Sequence, residues 1–74
     1  METHNLLFRI PPREIAFFTF VMESYEGVAS ARTVDRKEGL VELMVSPQQV
    51  DDLQELLKDL SGYVQIELVT SSME

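Results

Sequence analysis

An α+β sandwich in the order β-α-β-β-α-β is what these 74 residues predict, and three observations predict it. Runs toward both ends alternate in period two, the signature of a half-buried strand. Two longer stretches carry apolar residues at helical spacing, and each is led by a proline suited to a first helical turn. Between them, two runs rich in β-branched and small residues flank a turn that ends in glycine.

The elements follow in order. "NLLFRI" (Asn5–Ile10) sets Leu6, Phe8 and Ile10 against Leu7 and Arg9, so it reads as a strand. Pro11 and Pro12 end it, and a first helix is expected from about Pro12 to Glu26. Its residues Ile15, Phe18, Val21, Met22 and Tyr25 lie within about a third of the helical circumference and are expected in the core. Gly27 suits the left-handed position that closes a helix. "VASARTV" (Val28–Val34) and "LVELMV" (Leu40–Val45) read as a hairpin across the turn Asp35–Gly39, with Gly39 taking positive φ. In "SPQQ", Ser46 is the expected cap, Pro47 the first helical residue and Gln49 the other half of a capping box. Val50, Leu53, Leu56, Leu57 and Leu60 then form one stripe, and Ser61 and Gly62 stop the helix. "YVQIELV" (Tyr63–Val69) alternates as a last strand, with Val64, Ile66 and Leu68 on one face. Residues 70–74 read as a frayed tail.

This order is that of the ferredoxin-like βαββαβ sandwich: one domain over residues 1–74, an antiparallel sheet ordered 4-1-3-2, and both helices on one face. The order carries a charge test. If Phe8 and Ile66 face the helices, together with Val41 or Leu43, then Arg9, Glu42 and Glu67 face the open side; with Ser30 and Val34 also outward, Arg32 joins them and the face reads Glu67, Arg9, Glu42, Arg32 across the sheet. Opposite charges on neighbouring strands favour that register.

Composition narrows the function. The chain has no cysteine, which excludes disulfides, thiolate metal sites and cysteine nucleophiles. A core this small is marginal, so a partner chain is the expected additional support. Residues 1–37 hold five basic and five acidic residues, whereas residues 38–74 hold Lys58 against eight acidic ones. That asymmetry argues against nucleic-acid and anionic-membrane partners. With no secretory signal and no membrane-length apolar run in the sequence, a cytoplasmic protein is expected.

Catalytic constellations are sparse. His4 is the single histidine and reads as part of an amino-terminal tail. Asp51, Asp52, Glu55 and Asp59 read as a solvated helix face rather than a metal site. The expected open sheet face (Leu7, Arg9, Glu42, Met44) lacks the aromatics on which RNA bases stack. "IPPREI" lacks the backbone donors of a phosphate cradle. No catalytic residue, metal or cofactor is expected, and the chain reads as a non-enzyme.

The run "ESYEGVASARTVDRKEGLVELMVSP" (Glu23–Pro47) resembles a family of short bacterial proteins known as domain of unknown function 4911. The likeness lies in "ESYEG" followed by "RT.D..EGLVEL.V.P", and the first strand and both helices also fit. The family is similar to the ACT-type regulatory domains. That similarity implies amino-acid binding near the loop between the first strand and first helix, where Arg13 could meet a carboxylate.

One feature exceeds what the fold needs. "IAFFTFVMESYEG" (Ile15–Gly27) adds Ala16, Phe17 and Phe20 outside the core arc and leaves only Thr19, Glu23 and Glu26 as a polar strip. The reading is a homodimer. The second strand pairs with its copy, and the first helices pack through Phe17 and Phe20, both expected on the side nearest that strand edge. Ser24, Val28, Ser30 and Arg32 complete the expected interface. The expected function is a small regulatory or protein-interaction module, with itself and possibly another protein as partner; an ACT-like amino-acid sensor is the alternative.

Overall fold

The structure, a computed structural model, describes residues 4–25 and 29–73, the side chains of 71–73 excepted. The elements are β1 (His4–Arg9), α1 (Ile15–Ser24), β2 (Ala29–Asp35), β3 (Leu40–Val45), α2 (Val50–Leu60) and β4 (Glu67–Met73). They form an α+β arrangement: an open four-stranded antiparallel sheet ordered β2-β3-β1-β4, with two helices. This is the expected 4-1-3-2 order read from the opposite edge.

One core joins both helices to one face of the sheet. Phe8, Val41, Leu43 and Val45 alternate inward from β1 and β3. Ile15, Phe18 and Met22 of α1 meet Leu53 and Leu60 of α2 there, and Ile10 and Val64 complete the cluster. Fully burying such a side chain is worth about 1.5–3 kcal/mol. Val21, Val50, Leu56, Leu57 and Ile66 are half-buried against it. Tyr25 is not in this core: it follows the last turn of α1 with non-helical backbone and is half exposed.

Both helices begin by the same device. Pro12–Glu14 and Pro47–Gln49 are single 3-10 turns, each led by proline. The Glu14 N–H donates to the Pro11 carbonyl at 2.8 Å, and the Gln49 N–H donates to the Ser46 carbonyl at 3.0 Å. The capping box expected from Ser46 and Gln49 is not made; Ser46 is extended and its hydroxyl caps nothing. The tight turn uses the Ser46 carbonyl and Gln49 amide directly. Gly27 lies outside the described residues.

The hairpin turn holds as expected. Gly39 has φ +72°, the left-handed region that glycine occupies without strain. Its carbonyl accepts from the Ile10 N–H at 2.7 Å, and a Cβ here would collide with the Ile10 carbonyl oxygen. Gly39 thereby ties the turn to the exit of β1.

β4 departs from expectation. It starts at Glu67, not Tyr63, and runs to Met73 beside β1, so residues 70–73 are strand; Glu74 lies outside the described residues. The Tyr63 and Val64 amides both donate to the Leu60 carbonyl at 2.9 Å. These residues close α2 rather than extend a strand. Val64 is buried at the helix end, while Leu68 is largely exposed.

Candidate functional site

The topology fixes where each helix lies. Val50, Leu53 and Leu57 of α2 line a cavity with Leu6 and Phe8 of β1 and Leu68 of β4, so α2 covers the β1–β4 half. α1 packs against β2 and covers the other half. The flank of α1 away from α2 therefore faces the β2 edge.

Around α1, residues advance by about 100° each. With Ile15, Phe18 and Met22 inward, Ala16, Thr19 and Glu23 fall on the β2 flank, and Phe17 and Val21 on the α2 flank. Phe20 and Ser24 stand outward. The two phenylalanines thus serve different surfaces. Phe20, 68% exposed, points outward from the sheet, between the two flanks. Phe17, 47% exposed, is not on the β2 flank either, where both were expected; it lines a groove with residues of α2.

The polar residues of α1 do little to wet its surface. The Thr19 hydroxyl donates to the Ile15 and Ala16 carbonyls at 3.0 and 3.1 Å, and the Ser24 hydroxyl donates to the Phe20 carbonyl at 2.9 Å. These hydroxyls turn back on their own helix. Glu23 is the one charged side chain on α1.

β2 is an edge strand. Ala29–Thr33 pair with β3 in unbroken register, and the irregularity falls at Val34, beside the turn. β4, the other edge, carries its irregularity within the strand, at Val69. Bulges disrupt the ladder that an incoming strand would use, so the regular stretch of β2 is the better template. Its one charge is neutralised locally. Arg32 lies directly across from Glu42, with Nη2 2.8 Å from Oε1. Arg9 and Glu42 share the open sheet face, as the charge test requires; Arg9 stands opposite Glu67, without an ion pair between them among the described residues. Ser30 is exposed on β2, and Val28 lies outside the described residues.

Between the helices runs a groove of about 270 Å³, lined by Phe17, Val21, Tyr25, Leu56, Asp59, Leu60 and Tyr63. Tyr25 and Tyr63 are 50% and 83% exposed. Neither tyrosine stood out in the sequence as a surface residue, because each sits where a periodic pattern assigns it to an element just beyond that element's true end.

The loop from β1 to α1 borders a second cavity, of about 300 Å³, lined by Arg9, Ile10, Pro11, Pro12, Glu38, Gln65 and Glu67. Arg13 does not line it. Its side chain is in solvent, 3.8 Å from the Glu14 carboxylate. Arg9 is the cation at this cavity, hidden from sequence reasoning because β1 alternation marked it only as a solvent-facing strand residue. His4 also moves: it opens β1, half-buried, rather than lying in a tail, and its Nδ1 has no hydrogen-bond partner among the described residues. Among the described residues, no three His, Asp or Glu side chains are grouped to hold a metal ion. No helix among them is long and apolar enough to cross a membrane.

These features define a small α+β domain whose distinctive surfaces are an apolar helix, a regular strand edge and an aromatic groove. The chain belongs to the family described as Domain of unknown function (DUF4911), whose model matches residues 8–64. Comparisons with curated proteins and with solved structures found no match.

Proposed function

We propose that this chain is a non-enzymatic regulatory or protein-interaction module of ferredoxin-like, ACT-like architecture that acts as a homodimer through β2 and α1. The observation that carries the reading is Phe20, two-thirds exposed on the outward surface of α1, the helix that packs on an edge strand in regular register. β2 pairs antiparallel with its copy, and the α1 helices meet across the two-fold axis through Phe20, with Ser24, Ser30 and Arg32 around it. Phe17 is left at the margin. Sedimentation equilibrium tests the reading: a dimer at tens of micromolar is expected, with Phe20→Glu monomeric at unchanged helix content. A monomeric wild-type protein rejects it.

A second reading has its own observation. The cavity beside the β1–α1 loop sets Arg9 near Glu38 and Glu67, a cation and two carboxylates suited to the two ends of an amino-acid zwitterion. An ACT-like amino-acid sensor would use it. A thermal-shift screen of amino acids should then give one specific stabilisation that Arg9→Ala removes. Uniform silence across the screen eliminates the sensor.

A further inference from the structure

The groove between α1 and α2 has a composition that neither reading uses. Its floor is apolar: Val21, Leu56 and Leu60. Three aromatic side chains stand around it, Phe17, Tyr25 and Tyr63, and one carboxylate, Asp59. Asp59 has no ion-pair partner among the described residues. The one cation of α2, Lys58, instead lines a separate concavity with Asp51, Gln54 and Glu55. The groove therefore offers aromatic surface and an unmatched negative charge on an apolar base.

That combination selects a guanidinium. An arginine side chain lays its planar cation on aromatic faces, donates to a carboxylate through its fork, and packs its alkyl stem on apolar surface. Lysine satisfies the charge but not the plane. A cavity of about 270 Å³ is below the usual range for a small-molecule ligand but takes one or two side chains. A second copy is a poor occupant, because facing grooves would set Asp59 against Asp59 on chains of net charge −7.

We propose that the α1–α2 groove is a docking site for a segment of another protein that presents an arginine between apolar residues. The arginine lies across the aromatic side chains with its guanidinium on Asp59, and its neighbours rest on Val21 and Leu56. The site is separate from the β2 edge and does not depend on self-association.

The probe is a capped synthetic peptide with one arginine between two leucines, beside an identical peptide carrying citrulline, which keeps the shape and loses the charge. Binding is followed by amide chemical shifts of the full chain at physiological salt. Shifts are expected to cluster at residues 17, 21, 25, 56, 59, 60 and 63. Citrulline should weaken binding by roughly 5–30-fold, the factor for about 1–2 kcal/mol of cation–π and charge-assisted contact. Asp59→Asn should do the same, and Phe17→Ala should weaken it independently of charge. Asp51→Asn makes the same change in net charge on another part of α2 and should leave the affinity within about twofold. Equal weakening by Asp51→Asn and Asp59→Asn would mean unspecific attraction to an acidic protein, and overturns the site. So does equal binding of the citrulline peptide, or a groove whose shifts respond to protein concentration instead of peptide.

Discussion

α1 and α2 start alike and differ in what they show to water. Each follows a proline-led 3-10 turn closed by a backbone hydrogen bond, and each buries a stripe in the same core. The outer surface of α2 is Asp51, Asp52, Gln54, Glu55, Lys58 and Asp59. The outer surface of α1 is Ala16, Phe17, Phe20 and Ser24, with Glu23 alone charged. The fold asks each helix for one buried face, and the remainder of α2 is charged and polar where that of α1 is largely apolar. The surplus apolar surface of α1 therefore exceeds what packing on the sheet uses, and it is the surface on which the proposed self-association rests.

The largest effects should fall where the helices are the same. Phe18→Ala in α1 removes a fully buried ring and should cost about 3–5 kcal/mol; Leu53→Ala in α2 should cost about 2–5 kcal/mol. Denaturant melts measure both. If Phe18→Ala proves mild, α1 is not anchored as α2 is, and the comparison fails at its base.

The next effect should fall where they differ. Phe20→Glu gives α1 an outer surface like that of α2. With roughly 1.5–3 kcal/mol per phenylalanine and two copies per dimer, the dissociation constant should rise at least a hundredfold. Monomer stability should hold within about 0.5 kcal/mol, as for other exposed positions. Glu55→Ala, at the corresponding outward position of α2, should alter neither quantity. Equal effects from the two variants in sedimentation would erase the distinction between the helices.

Beneath α1, the strand edge should show a smaller effect. Arg32 and Glu42 face each other across β2 and β3 at 2.8 Å, with Arg32 mostly in solvent. A double-mutant cycle to alanine should give a coupling of about 0.2–1 kcal/mol that shrinks with added salt. A coupling of zero would leave the β2 charge free to oppose pairing with a second copy.

Much of this was legible in the sequence. Period two in the first strand put Phe8 on the inner face of the sheet, with Val41 or Leu43 beside it, and Gly39 marked its own turn; the structure adds Val45 to that face. The cross-strand charge of Arg32 and Glu42 followed from the order. What stayed hidden has physical causes. Tyr63 to Ile66 alternate like a strand, yet the Leu60 carbonyl captures their first amides and the segment closes a helix. Residues 70–73 look like a tail because their pairing comes from β1, not from any apolar pattern of their own. The split between Phe17 and Phe20 depends on where α2 sits, which no helical wheel for α1 contains. Arg9 reaches a cavity assembled from the β1–α1 loop, the hairpin turn and β4, three places far apart in the chain.

The smallest effect tests the shared start of the helices. "SPQQ" resembles a side-chain cap, and replacing such a serine by alanine usually costs about 1 kcal/mol. Here the Ser46 hydroxyl caps nothing, and the Ser46 carbonyl receives the Gln49 N–H instead. Pro11 does the same for Glu14 before α1, with no side chain able to cap at all. A backbone cap survives loss of the hydroxyl, so Ser46→Ala should cost no more than a few tenths of a kcal/mol in chemical denaturation. A loss near 1 kcal/mol would show that Ser46 caps α2 through its side chain in solution. The two helices would then begin by different devices, and the likeness that makes their outer surfaces comparable would be weaker.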